Sequence, residues 1–156
     1  MKNKKTEAKF GQSSPNEVTL TRTTVTTGPI KLPEPMKLFS DNPGEPVTVV
    51  LASDRIGEGD PELGRELLKS FLLALDDMTK PPEALIFYNS AVHLATLDSP
   101  VLNILISLQR KHTEILVCSA SLQHYRLVDQ LEVGEIRTMA MLVERMMLAH
   151  HILWPK

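Results

Sequence analysis

From residue 47 onward the apolar residues alternate between short dense runs and longer amphipathic stretches. Val47, Val49, Val50, Leu51 and Ala52 form a β-rich run bounded by Pro46 and Ser53-Asp54, the pattern of a buried parallel strand. After a loop holding Gly57 and Gly59, Asp60 is placed to cap a helix that starts at Pro61, where a missing N–H costs nothing. Leu63, Leu67, Leu68, Phe71, Leu72, Leu75 and Met78 recur at helical spacing and predict its apolar face, and Pro81-Pro82 ends the segment. Ala84 to Tyr88 is a second strand-like run, and Ser99-Pro100 opens a second helix carrying Val101, Leu102, Leu105, Ile106 and Leu108. Ile115 to Val117 predicts a third strand ending at Cys118-Ser119, followed by a helix over about 122–131 and a break at Gly134. A last helix over 139–149 leads to a closing strand at 152–154. Strands and helices alternating at this length specify an α/β three-layer sandwich: a mostly parallel sheet of about five strands, flanked by helices.

Residues 1–46 have a different texture. Six of the 11 prolines lie there, and six threonines crowd positions 19–27, so a tail or linker precedes a domain at 47–156. Val18, Leu20 and Val25 are the one candidate for a short edge strand in it.

Charge narrows the classes of partner. Residues 1–46 carry 7 basic and 5 acidic side chains and the remainder 10 and 14, with no clustered basic face of the kind that grips nucleic acid. No run approaches the roughly 20 apolar residues of a membrane span, and the basic opening lacks the apolar core of a signal peptide. The single Cys118 forms no internal disulfide and supplies no multi-thiolate metal cluster, which points to the reducing cytoplasm. His150 and His151 are adjacent and diverge on either a strand or a helix, so no metal site is expected from them.

In an open parallel sheet, ligands gather at the carboxyl ends of the strands. The three predicted strand ends carry Ser53-Asp54, Asn89-Ser90 and Cys118-Ser119, with Ser121 and His124 following the third. Short polar side chains at such positions either hold a small anion or shape turns and cap helices. Cys118 has two readings. At a strand-to-helix junction, free N–H groups favour a thiolate nucleophile, with Ser119, Ser121 and His124 within sequence reach; an inert buried cysteine fits the same position. The Gly57-Glu58-Gly59-Asp60 loop is out of register for a dinucleotide fingerprint and places acids where a pyrophosphate would lie. Met139, Met141, Met146 and Met147 read as core and as a subunit contact. A cysteine hydrolase using His93 or His124 as base lacks an evident carboxylate to orient the imidazole.

Three separated segments match a known family in order: Val50 to Gly64, Ile86 to Val92, and Val133 to Ile136. Together they resemble the carboxy-terminal DsrE-like domain of the YedF group, described as sulfurtransferase-like selenium metabolism proteins. The resemblance covers roughly residues 47–155. It implies a sulfur, or selenium, relay in which Cys118 carries a persulfide between donor and acceptor proteins, and a homo-oligomer, trimer or hexamer, without a cofactor. Ser53, Asp54, Asn89, Ser90, Ser119, Ser121 and His124 then inherit the role of orienting the transferred group. Two departures qualify that role. The group commonly shows a C-x-x-C pair where this chain reads Cys118-Ser119-Ala120-Ser121, so no resolving thiol is expected. Residues 1–46 are also too short for the cysteine-bearing TusA-like domain that usually precedes it. The competing expectation is a non-catalytic oligomeric scaffold or small-ligand-binding module in which Cys118 is residual.

Overall fold

The computed structural model describes residues 45–156. The expected edge strand at 18–25, and nearly all of the expected tail, lie outside the described residues. Five parallel strands, β1 (Val47–Leu51), β2 (Ala84–Phe87), β3 (Glu114–Cys118), β4 (Glu135–Arg137) and β5 (His151–Leu153), form one sheet in the order β4-β3-β2-β1-β5. Four α-helices connect them: α1 (Pro61–Asp76), α2 (Leu102–Arg110), α3 (Ser119–Tyr125) and α4 (Met139–Met147). This is the three-layer α/β architecture that the strand and helix pattern specifies.

The pleat sorts the core into two layers, because successive strand residues face opposite ways. Val49, Leu51, Leu85, Phe87, Ile115 and Val117 point to one side, where Leu68, Leu72 and Leu75 of α1, Leu105 and Leu108 of α2, and Leu122 of α3 bury them. Val50, Ile86, Leu116 and Cys118 point to the other, and there Leu142 of α4 is the fully buried partner, with Tyr88 and Met146 packed alongside. The second layer is thus much thinner than the first. Arg145 helps to seat α4 over it, bonding Glu114 at 2.8 Å and Glu83 at 3.0 Å.

Local signals account for α1. The Asp60 carboxylate accepts the Leu63 N–H at 2.8 Å, and Pro61 occupies the first turn. Its buried face is narrower than the apolar stripe predicts: Gly64, Leu68, Leu72 and Leu75 are buried, while Leu63 and Leu67 are 57% and 46% exposed. Gly64 belongs to the packed face because the preceding loop lies against it; Ile56 N–H bonds its carbonyl at 3.0 Å, and a Cβ would sit 2.9 Å from the Ile56 oxygen.

Several boundaries differ from expectation. The helix expected over 122–131 begins at Ser119 and stops at Tyr125, because Arg126 takes a left-handed conformation (φ 58°) and a separate 3-10 turn follows at Val128–Gln130. The last helix ends at Met147, two residues short of the expected 149, which brings the closing strand forward to His151. β4 is the one strand of the expected five or so that the apolar pattern does not locate, and a 3-10 helix at Asn89–Ala95 bridges β2 to α2.

Candidate functional site

The carboxyl ends of β1, β2 and β3 bring most of the short polar residues together. After β1, the Asp54 N–H donates to Ser90 Oγ at 3.3 Å and the Ser90 hydroxyl donates to Asp54 Oδ1 at 3.3 Å, joining the first two strand ends. Arg65, one turn into α1, reaches Asp54 Oδ2 at 3.4 Å. The second and third strand ends are joined in the same way: Asn89 N–H donates to Ser121 Oγ at 2.9 Å, and Tyr125 Oη donates to Asn89 Oδ1 at 3.2 Å. Asn89 holds φ 54°, a left-handed value that asparagine tolerates better than most residues. Ser53 is engaged locally, its hydroxyl accepting Arg55 N–H at 3.3 Å.

Aromatic stacking extends this crevice. The His93 ring lies 4.7 Å from that of Tyr125, tilted by 60°, and the His124 ring lies 4.9 Å from Tyr125, nearly perpendicular. His124 therefore packs on Tyr125, and Ser121 is engaged with Asn89. Ser119 is half-buried in the first turn of α3. Beside the network is a 260 Å³ cavity lined by Asp54, Arg65, Lys69, His93, Ser99 and Val101, among others.

Cys118 stands at the same end of the sheet but faces the α4 layer. It caps α3 with φ −66° and ψ 119°, its sulfur makes no capping hydrogen bond, and the residue is 1% exposed. Its neighbours are apolar: Val50, Ile86, Leu116 and Leu142 share its cluster. On β4, Arg137 is its partner in register, with the guanidinium paired to Glu135. On β2, the register Phe87 to Val117 places Tyr88 opposite Cys118. Burial pushes the Tyr88 phenol pKa up, so the ring is neutral at physiological pH. α3 has only 7 residues, so few peptide dipoles add up at its start.

Three residues of this region carry no sequence signal of their own. Arg65 reads as an ordinary polar position on α1, Tyr125 as an interior position of the helix expected over 122–131, and Tyr88 as the last residue of an apolar run; each acquires its place only when the strand ends come together. Among the described residues, no group of three or more His, Cys, Asp or Glu side chains is arranged to hold a metal ion, and no helix is long and apolar enough to cross a membrane.

Solved structures share the fold. A protein of unknown function from Methanobacterium thermoautotrophicum superposes with a TM-score of 0.55 at 18% identity, covering 72% of this chain and 100% of its own. The ychN protein from E. coli gives 0.50 at 13% identity, covering 71% and 99%, respectively. A conserved protein of unknown function from Bacteroides thetaiotaomicron gives 0.51 at 15%, covering 70% and 94%. At these identities the likeness is one of fold. No protein-family model matches the sequence, and no curated protein does.

Proposed function

We propose that the chain is a DsrE-like sulfur, or selenium, relay protein that carries a persulfide on Cys118. The observation that carries this reading is the position of Cys118: it ends β3, an interior strand of the parallel sheet, at the edge where Asp54, Ser90, Asn89 and Ser121 converge. The Cys118 thiolate attacks the outer sulfur of a donor persulfide, R–S–SH. The donor S–S bond breaks, the donor departs as R–S⁻, and a new S–S bond leaves Cys118–S–SH. An acceptor thiolate then attacks that outer sulfur and releases the Cys118 thiolate, so the sulfur moves without net oxidation and without a cofactor. Ser53, Asp54, Asn89, Ser90, Ser119, Ser121 and His124 border the same end of the sheet, while the thiol itself faces the α4 layer, so donor and acceptor proteins approach it from the α4 side of that end. A homo-oligomer in the cytoplasm belongs to the same reading, supported by the exposed Met147, Leu148 and Trp154 on and beyond α4.

A second reading rests on a specific observation: Cys118 is 1% exposed and packed among aliphatic side chains. That environment suits an inert thiol, and the chain is then an oligomeric DsrE-like scaffold or small-ligand-binding module that uses the polar crevice. Mass spectrometry after exposure of the folded protein to a small organic persulfide separates the two. A gain of one sulfur that disappears in Cys118→Ser supports the relay. No gain on the wild-type protein leaves the binding module.

A further inference from the structure

The cavity beside the polar network has an aliphatic floor and a charged rim. Leu68 of α1, Leu94 of the 3-10 helix and Val101 before α2 line the floor, and all three are buried in the core layer opposite to that of Cys118. Arg65, Glu66 and Lys69 of α1 line it as well, together with Asp54 from the loop after β1. Asp54 is already engaged, since Oδ1 accepts the Ser90 hydroxyl and Oδ2 accepts Arg65 Nε. That contact steadies the guanidinium through Nε and leaves its two terminal nitrogens for another acceptor. Among the described residues, Glu66 and Lys69 form no ion pair. One steadied guanidinium, one ammonium and one carboxylate thus stand around an apolar floor.

With histidine counted as neutral, the charges lining the cavity cancel, two cations against two carboxylates. A simple anion gains little from such a rim, whereas a molecule that carries both charges matches Arg65 and Lys69 at one end and Glu66 at the other. At 260 Å³ the cavity is smaller than the roughly 300–1,000 Å³ of drug-sized sites, so its ligand is small. We infer that the cavity binds a free α-amino acid with a short aliphatic side chain: Arg65 and Lys69 hold the carboxylate, Glu66 holds the ammonium, and the side chain covers Leu68, Leu94 and Val101. Asp54 is a positioning residue that acts through Arg65. The site is independent of the relay, because cavity and thiol lie on opposite faces of the sheet. It deepens the binding-module reading by naming a ligand class, and rests on that reading for its biological meaning.

The test is a titration of the isotope-labelled full chain, followed by its amide resonances, with L-leucine and with two analogues that each keep one of its charges: isocaproate, which lacks the amine, and isoamylamine, which lacks the carboxylate. L-Leucine is expected to shift amides around the cavity, those of Lys69, Leu94 and Ser99 among them, with a Kd on the order of 1 mM, because water still reaches the rim charges. Each analogue should bind at least about threefold more weakly. Glu66→Gln is expected to weaken L-leucine about threefold without weakening isocaproate, whereas Arg65→Gln weakens both about tenfold. Both substitutions are at exposed positions, so the fold stays intact. No saturable shift at about 20 mM L-leucine, shifts that spread away from the cavity, or isocaproate binding as tightly as L-leucine overturns the inference. Such a failure leaves the binding-module reading to other ligands. Sulfur uptake on Cys118 with L-leucine binding intact overturns that reading's inert thiol and leaves the site standing.

Discussion

Asn89 and Ser121, 32 positions apart in sequence, are joined by a 2.9 Å hydrogen bond from a main-chain N–H to a hydroxyl. The bond fastens the end of β2 to the first turns of α3 just where Asn89 departs from the strand with φ 54°. The junction is exposed, so water replaces the lost acceptor and the change costs only the net value of an ordinary hydrogen bond, about 1 kcal/mol or less. Ser121→Ala is therefore expected to lower stability by about that much in urea titration, and Asn89→Val by more, because a β-branched residue is strained at positive φ. Asn89→Gly keeps the backbone geometry and removes the Tyr125 contact only, so it should be the mildest of the three.

Gly134 is a second position where backbone geometry dictates the residue. Its φ is 92°, and a Cβ there would lie 2.6 Å from Ile115 Cγ2 and 2.9 Å from the Ile115 carbonyl oxygen. The contact lies where the chain enters β4, so neither neighbour can yield without disturbing β3. Gly134→Ala is expected to cost about 2 kcal/mol or more, the range of strained or overpacked sites. Gly59→Ala is the control: its added Cβ meets nothing within 4 Å, and thermal melting should scarcely register it.

These positions show which parts of the fold are legible in sequence. β1 and the start of α1 are legible because their causes are local: a run of Val and Leu, then Asp60 and Pro61 at fixed offsets. β4 is not, since Glu135–Arg137 is a three-residue edge strand whose only reason to be extended is its pairing with β3. The end of α3 is hidden for a different reason: Arg126 takes the left-handed turn that Gly or Asn usually announces. On α1, helical periodicity marks a stripe wider than the buried face and does not tell Leu63 and Leu67 from Leu68 and Leu72. The candidate site divides likewise. That polar residues gather at the strand ends follows from parallel-sheet topology, but the direction of Cys118 depends on β3 running one residue past Val117. That extra residue turns the thiol toward α4 and away from the polar groups.

Asp76 and Lys111 tie α1 to the end of α2. Lys111 Nζ lies 2.7 Å from Asp76 Oδ1, and Ser107 donates to the same oxygen at 2.9 Å. The Lys111 hydrogen bond holds the Asp76 pKa below its ordinary 3.8, outweighing the partial burial that works the other way, with Ser107 assisting. A carboxyl whose folded pKa is depressed stabilises the fold above the unfolded value and loses that contribution as pH falls through the folded one. Urea midpoints of the wild-type protein should thus fall on acidification below about pH 4. In Asp76→Asn, part of that fall should be missing. The midpoint at pH 7 should be lower, and an unchanged acid slope would remove Asp76 from the pH dependence.

The α4 layer is expected to be the first to open. Its buried anchor is one side chain, Leu142, helped by Met146, whereas the opposite face of the sheet is covered by three helices. Arg145 supplies the other hold. Its burial disfavours the charge, but hydrogen bonds from the guanidinium to Glu114 and Glu83 outweigh that cost and raise its pKa. Arg145→Met removes the cation and leaves two carboxylates facing each other at the amino ends of β2 and β3, a loss that high salt should partly mask. Leu142→Ala acts on the apolar hold and is expected to cost about 2–5 kcal/mol if the helix stays docked. A smaller cost means that α4 has lifted instead. Hydrogen exchange distinguishes these outcomes: amides of α4 should lose protection before those of α1 in the wild-type protein, and in Arg145→Met the gap should widen. Equal protection of the two helices would show that both layers open together.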